Sequence, residues 1–253
     1  MTLPPITRRF PTLKFAQPWQ LLRPEFICDP LKCILFDENL LQQVGRGEVG
    51  PCICIKTEPR CLVVTRREAR MENFAQASAA LGAEGWPVVV RSSGGSCVPQ
   101  GSGMLNLSVI HPRIKGWTLE DGYLLLCYLL GRLLASYGID AETGEVPGSF
   151  CDGRFNLQIG EKKLVGTAQR WAGGNREHAA VLAHACLLVD LDLPEVTGRI
   201  NQLYRLCNNP QHFDPDACTT LRKALPSSQL STEAFVAKVE QRLAELLSET
   251  FAI

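Results

Sequence analysis

The sequence lacks an excess of either charge, a long apolar run and an apolar leader. Its 253 residues carry 26 basic and 26 acidic side chains, so it offers no general positive field for a polyanion, and nucleic-acid binding is disfavoured. No apolar run reaches the roughly 20 residues that a membrane span needs, since Gly131 and Arg132 interrupt the leucine-rich stretch 124–134. No apolar core follows Arg8 and Arg9, which predicts a cytoplasmic protein without a secretory signal.

The sequence also lacks cysteine and histidine residues at the spacing that is typical of metal sites. The eleven cysteines include no Cys-x-x-Cys pair, and the four histidines do not cluster. Because a structural zinc site needs four suitable ligands, no metal is expected. An odd number of cysteines in a long chain without an export signal argues against a disulfide framework. Most of them are therefore expected to be small, buried apolar residues.

What the sequence does contain is an irregular mixture of helix and strand patterns, which predicts a single α+β domain. The first 30 residues are rich in proline and predict an extended arm over 1–30: Pro4, Pro5, Pro11, Pro18, Pro24 and Pro30. The main domain is expected over 31–213. A small helical extension is expected over 214–253.

Hydrophobic periodicity predicts four helices, at 31–44, 72–81, 118–137 and 231–248, of which the third is the longest. Strands are predicted at 51–56, 61–64, 104–110 and 179–193, with a short buried strand at 88–90. The segments 156–159 and 163–165 flank a glycine-containing turn. They are typical of a β-hairpin.

Two loops contain residues that could bind a ligand or take part in catalysis. The segment 91–98 follows a strand and holds adjacent glycines, so its backbone could approach a ligand closely. A plain tight turn is the alternative.

Cys151 lies in a polar, glycine-rich loop, where a thiol is a better nucleophile candidate than a core cysteine. Either Arg154 or Lys163 could supply the cation that stabilises its thiolate. A loop cysteine and a solvated Lys163 remain the alternatives.

Taken together, these segments resemble the lipoate–protein ligase and octanoyltransferase family, which is related to the biotin–protein ligases. The loop that begins at Arg91 is similar to the family's Arg-Arg-x-Ser-Gly-Gly-Gly motif, and Gly103 opens a segment similar to Gly-x-Leu-Asn. Residues 160–168 are similar to Gly-x-Lys-hydrophobic-x-Gly-x-Ala. Ser-Phe-Cys at 149–151 is similar to the cysteine-dependent octanoyl and lipoyl transferases. The resemblance covers about residues 31–193.

The resemblance implies a fold of mixed, largely antiparallel sheets flanked by helices, like the class II aminoacyl-tRNA synthetases. It also implies that Cys151 carries the acyl group and that Lys163 contacts the acyl carbonyl. The implied substrate-binding residues are Arg91, Ser93, Gly94, Gly95, Gly103, Leu105, Asn106, Gly166, Thr167, Ala168 and His184. For His184, a core position is favoured over a catalytic base. The acyl tunnel is expected to be lined by Leu105, Leu107, Leu157 and Val165.

The expected function is transfer of an octanoyl or lipoyl group to a lysine through a thioester. No cofactor is expected to be required, and the protein is expected to be a monomer. The implied acceptors are lipoyl domains of 2-oxoacid dehydrogenases or the glycine-cleavage H protein, and acyl carrier protein is a possible donor. Val90 and Ser96 replace family motif residues, and residues 99–101 replace its Tyr-His-Asp. These changes favour transfer over ATP-dependent ligation. The ligase and a non-catalytic acyl-binding relative are the alternatives.

Overall fold

The computed structural model describes residues 10, 13–25, 27–173, 178–226 and 229–253. Much of the predicted N-terminal arm, including Pro4, Pro5 and Pro11, lies outside the described residues. Within the described part of the arm, Gln20–Leu22 forms a short strand, β1. This strand pairs in parallel with the strand Cys52–Lys56, so here the chain runs along the edge of a sheet.

Helices and short strands alternate irregularly along the chain. The α-helices are α1 (Pro30–Gly45), α2 (Phe74–Ala83), α3 (Leu119–Ser136), α4 (Leu193–Leu206), α5 (Leu221–Ala224) and α6 (Thr232–Phe251). After β1, the strands are β2 (Cys52–Lys56), β3 (Cys61–Thr65), β4 (Val88–Arg91), β5 (Val98–Gln100), β6 (Met104–Pro112), β7 (Glu142–Thr143), β8 (Leu157–Ile159), β9 (Lys162–Ala172) and β10 (Ala180–Leu188). Short 3₁₀ turns lie at Glu68–Arg70 and Pro215–Ala217.

The strands form two sheets. The larger has seven strands in the order β1-β2-β6-β10-β9-β8-β7, and the smaller has three in the order β4-β3-β5. Within the larger sheet β6, β10, β9 and β8 pair antiparallel, and only β1 and β2 pair in parallel. The smaller sheet combines a parallel and an antiparallel pair. The prediction of an α+β fold with mixed, largely antiparallel sheets is therefore confirmed.

Three helices begin directly after residues whose side chains cap the first turn. Asp29 accepts hydrogen bonds from the first backbone N–H groups of α1, and Thr118 and Asp121 form a capping box at the start of α3. Ser231 caps α6, which spans 20 residues. The prediction that the helix after Thr118 is the longest was wrong, since α3 has 18 residues.

Two further predictions need correction. The strand predicted over 179–193 ends at Leu188, and Leu193 begins helix α4 after the N-cap Asp192. Strand β4 is not a buried strand: it lies at the edge of the smaller sheet, and Val90 is 37% exposed.

The main hydrophobic core lies between the two sheets and the helices α2, α3, α4 and α6. It contains side chains from all of them, such as Leu81, Leu133, Ile200 and Leu243. A smaller cluster under α1 joins that helix to the outer face of the larger sheet. The helix α6 thus packs into the same core as the sheets, while the boundary at residue 214 stays a prediction. Across the described ranges, no helix combines the length and apolar character that a bilayer crossing requires.

Candidate active site

Cys151 lies in the loop between β7 and β8, where the chain makes a tight turn. Its φ of 49° is in the left-handed region, which is uncommon for a residue with a side chain. The Asp152 carboxylate closes the loop by accepting 2.8 Å hydrogen bonds from the backbone N–H groups of Val146 and Gly153. As a result the Cys151 side chain points inward, and the residue is only 6% exposed.

The glycine loop after β4 packs directly against this cysteine. The backbone N–H of Ser96 lies 3.3 Å from the Cys151 sulfur, and an Nη of Arg91 lies 3.7 Å from it. A Cβ placed on Gly95 would lie 2.5 Å from the same sulfur, and the φ of Gly95 is +99°. Only glycine fits at that position. The two loops proposed from the sequence therefore meet at one sulfur atom.

Lys163 is the second charged group at this point. It is 1% exposed, and its ammonium donates hydrogen bonds to the backbone carbonyls of Phe150 and Cys151, the latter at 2.6 Å. A Cβ on Gly166 would lie 3.2 Å from this ammonium, so a glycine on the same strand leaves room for it. Lys163 is therefore buried beside Cys151 and is not a solvated hairpin-edge lysine.

The electrostatics favour a thiolate. Burial acts to raise the pKa of Cys151, but the Lys163 ammonium, the Arg91 guanidinium and the Ser96 N–H together outweigh it, so the pKa is lowered from its ordinary value. For comparison, burial raises the pKa of Cys186, which lies in the same cavity, to about 12. Burial also lowers the pKa of Lys163, although the neighbouring Cys151 acts to raise it. A reactive cysteine needs this kind of electropositive setting.

Arg91 holds the glycine loop in shape as well as facing the sulfur. One of its nitrogens donates to the carbonyl oxygens of Gly94 at 3.0 Å and Ser96 at 2.8 Å. Arg154, the other cation suggested by the sequence, does not serve the thiol. Its side chain is 68% exposed and pairs with Glu120. The cations at the sulfur are Lys163 and Arg91.

Two cavities that share lining residues lie on this side of Cys151. The first, of about 20 Å³, is lined by Cys151, Gly166, Thr167 and Ala168, among others. The second, of about 50 Å³, extends toward α1 and β6 and includes Ser93 and Asn106 in its lining. Arg91, Val98, His184 and Cys186 line both. Because these four residues are shared, a side chain that enters through the second cavity would pass Arg91 and His184 on its way to Cys151.

His184 is held in its neutral form. Its Nε2 lies 2.8 Å from the hydroxyl of Ser93, and burial, assisted by the charges of Arg91 and Lys56, lowers its pKa to about 3. An imidazole with such a pKa is uncharged at neutral pH. Its position agrees with a lining residue in the core.

The remaining predicted residues fall into two groups. Asn106 exchanges hydrogen bonds with Gln100 at 3.0 and 3.2 Å in the wall of the larger cavity. Gly103 instead packs against the backbone of Asp190, and Leu105 is buried in the main core. The same core contains Leu107, Leu157 and Val165. None of these five residues is among the lining residues of either cavity.

Sequence reasoning missed three polar residues that position the site. The Ser96 hydroxyl accepts a 3.1 Å hydrogen bond from the Cys151 N–H, and the Asn156 amide donates to the Cys151 carbonyl while accepting from the N–H of Thr167. The carboxylate of Glu68 accepts from the N–H of Cys97 at 2.7 Å. Ser96 was noted only as a departure from a glycine motif, and nothing in the spacing links Glu68 to Cys151.

The far wall of the larger cavity carries an ionic cluster. Lys56 is buried and pairs with Asp37 at 2.9 Å and with Glu58 at 3.3 Å. Burial acts to lower the pKa of Lys56, but the two carboxylates raise it above its ordinary value. The ammonium of Lys56 thus compensates two of the carboxylates that line the cavity.

Among the described residues, no three histidine, cysteine or acidic side chains are arranged so that they could hold a metal ion. The eleven cysteines, all described, are free thiols.

Comparison with known proteins finds a matching family model and similar curated proteins. The family model for the lipoyl protein ligase A/B catalytic domain matches residues 29–244. The chain is 38% identical to an octanoyl-[GcvH]:protein N-octanoyltransferase of Kyrpidia tusciae, over 73% of this chain and 66% of that protein. It is 34% identical to the protein of the same name from Geobacillus kaustophilus, over 78% of this chain and 69% of that one.

A putative lipoate protein ligase from T. acidophilum, solved with bound lipoic acid, has a similar fold. The TM-score is 0.67 at 17% identity, and the match covers 94% of this chain and 87% of that one. At this identity the likeness concerns the fold alone.

Proposed function

Because the chain belongs to the lipoyl protein ligase A/B catalytic-domain family and is an acyltransferase, we propose that it transfers an octanoyl or lipoyl group to a lysine through a thioester on Cys151. One observation carries this proposal. Cys151 is buried in the lining of a cavity, its sulfur lies close to the Arg91 guanidinium and the Ser96 N–H, its carbonyl accepts from the Lys163 ammonium, and its pKa is lowered. A structural cysteine has no need of such surroundings, but a nucleophile does.

In the first step the Cys151 thiolate attacks the acyl carbonyl of the donor. The S–C bond forms, and the carbonyl oxygen takes up negative charge beside the Lys163 ammonium, the nearest charged donor to the Cys151 backbone. The bond to the donor's nitrogen or sulfur then breaks. A proton from Lys163 neutralises the leaving group, and the lowered pKa of this lysine suits the role.

In the second step the neutral ε-amine of the acceptor lysine attacks the thioester. The N–C bond forms, the S–C bond breaks, and the thiolate of Cys151 is restored. The proton lost by the attacking amine returns to Lys163. Because the transfer has two steps, the donor and the acceptor can bind at the site one after the other. The chemistry needs no cofactor beyond the acyl group.

The partners follow from the names of the relatives. Those names describe transfer of an octanoyl group between octanoyl-[GcvH] and a protein. For this chain the corresponding partners are the glycine-cleavage H protein and the lipoyl domains of 2-oxoacid dehydrogenases. Acyl carrier protein is a further possible donor.

The ATP-dependent ligase is the second candidate, because the family includes ligases. The hydrogen bonds of Arg91 favour transfer instead. One Nη of its guanidinium donates to the carbonyls of Gly94 and Ser96 and faces the Cys151 sulfur, so this arginine is oriented toward the glycine loop and the thiol. In addition, an ATP-dependent ligase mechanism does not require a thiol with a lowered pKa such as that of Cys151.

Intact-mass spectrometry tests the proposal. Incubation with an octanoylated H protein should add one octanoyl mass to this protein, and Cys151→Ala should abolish both the adduct and transfer. The exposed Cys28 provides a matched control, since Cys28→Ala should behave as the wild type. If Cys151→Ala transfers the acyl group at the normal rate, the thioester mechanism is wrong. Release of AMP from free lipoate and ATP would favour the ligase.

A further inference from the structure

Exposed apolar side chains lie on α1 and β4, two elements that also contribute residues to the lining of the larger cavity. Of the seven large hydrophobic residues that are exposed in the described part of the chain, three lie on α1 and β4: Leu31 at 49%, Leu35 at 47% and Val90 at 37%. Scattered single exposed leucines need no explanation, but a group beside a cavity does.

These residues form one continuous surface. Leu31, Leu35 and Glu38 follow one another along a single face of α1, at spacings of four and three residues. Val90 and Ser92 are two residues apart and so point to the same side of the extended chain. The Ser92 hydroxyl donates a hydrogen bond to the Glu38 carboxylate, which joins the two stripes. We refer to these five residues as the α1–β4 rim.

The α1–β4 rim is continuous with the reacting group. Glu38 and Ser92 line the larger cavity, and Arg91, which immediately precedes Ser92 in the chain, extends from there to within 3.7 Å of the Cys151 sulfur. An extended lysine side chain is about as long as an arginine side chain. A lysine inserted at the rim beside Arg91 would therefore bring its ε-nitrogen to the neighbourhood of Cys151.

We infer that the α1–β4 rim is the docking surface for the domains that carry the reacting lysine, and that donor and acceptor use it in turn. The inference rests on the proposed function. Since Cys151 is only 6% exposed, both lysines must reach it through the cavity. The partner that fits is a folded domain with a lysine on a protruding turn between apolar residues. The apolar residues would contact Leu31, Leu35 and Val90, and Glu38 would attract the ammonium of the acceptor lysine.

The test separates docking from chemistry. The double variant Leu35→Ser/Val90→Ser removes apolar contact without touching the residues around Cys151. The control, Leu119→Ser/Leu206→Ser, changes two exposed leucines on other helices, at 58% and 36% exposure. Each protein is assayed twice. One assay follows acylation of Cys151 by a small octanoyl thioester, and the other follows transfer from the acylated protein to an H protein acceptor.

In the rim variant, kcat/KM for the acceptor domain should fall by about tenfold or more, mostly through KM, as expected on losing central apolar contacts. Acylation by the small thioester should stay within about twofold of wild type, and the control should match wild type in both assays. The donor protein should show the same rise in KM, and donor and acceptor should compete.

Three outcomes overturn the inference: unchanged transfer in the rim variant, an equal loss with the small thioester, or a wild-type dimer that the variant dissociates without slowing transfer. Failure of the proposed function has a different signature. In that case the wild-type protein itself forms no acyl-Cys151 with either donor.

Discussion

At the scale of single residues, the site depends on two contacts of Arg91: its hydrogen bonds to the glycine loop and its approach to the Cys151 thiol. Its guanidinium holds the carbonyls of Gly94 and Ser96 and faces the Cys151 sulfur. Charge and shape can be separated by substitution. Arg91→Gln removes the charge but can keep one donor, whereas Arg91→Lys keeps the charge but loses the planar fork.

We expect Arg91→Gln to move the alkylation of Cys151 by iodoacetamide to higher pH. The thiolate is the reactive form, and its fraction rises as pH passes the pKa of the thiol. The guanidinium lowers that pKa, so without it the midpoint moves up, and the rate at neutral pH should fall by roughly tenfold or more. Arg91→Lys should restore part of the shift. An unchanged midpoint in Arg91→Gln would show that Lys163 and the backbone alone set the pKa.

The sequence alone singled out Cys151, Lys163 and the glycine loop, but not how they meet. The Ser96 N–H and the Cys151 sulfur are 55 residues apart in the chain, and no local pattern links positions at that distance. Likewise Arg154, close to Cys151 in sequence, pairs with Glu120 instead. Proximity in sequence could not decide between Arg154 and Lys163, because the direction of a loop side chain depends on tertiary packing.

At the scale of elements, local sequence signals predicted the β8–β9 hairpin but missed helix α4. The hairpin of β8 and β9 turns through Gly160 and Glu161, both with positive φ, as its short glycine-containing loop predicted. Helix α4 was missed although it has an N-cap in Asp192 and buried residues at helical spacing, such as Val196, Ile200 and Leu203. The apolar run before it is continuous, so the strand pattern was extended too far.

The capping box of α3 offers a test at this scale. Thr118 and Asp121 exchange hydrogen bonds with each other's backbone N–H, at 2.8 and 3.2 Å. Thr118→Ala should lower the free energy of unfolding by about 1 kcal/mol, measured by urea denaturation, with acyl transfer unchanged well below the midpoint. Thr143→Ala, an exposed threonine in β7, is the control and should have little effect. Equal losses in the two variants would contradict a specific role for the cap.

At the scale of the whole molecule, the question is whether residues 214–253 are an extension or part of one cooperative unit. Helix α6 buries seven residues, among them Val239, Leu243 and Leu247. They belong to the same hydrophobic cluster as the strand residues Leu105 and Leu187. A cluster shared across that boundary couples the stability of the helix to that of the sheets.

Leu243→Ala should therefore destabilise the entire protein by about 2 to 5 kcal/mol, the usual cost of a large-to-small change at a buried leucine. Thermal unfolding followed by far-UV circular dichroism should remain a single transition at lower temperature. The alkylation rate of Cys151, measured through the same range, should rise at that midpoint as the buried thiol becomes accessible. Lys238→Ala, on the exposed side of α6, should leave the midpoint nearly unchanged. If Leu243→Ala instead produced an early partial transition while Cys151 stayed protected to the wild-type temperature, the C-terminal segment would be an independent extension, as the boundary at 214 predicts.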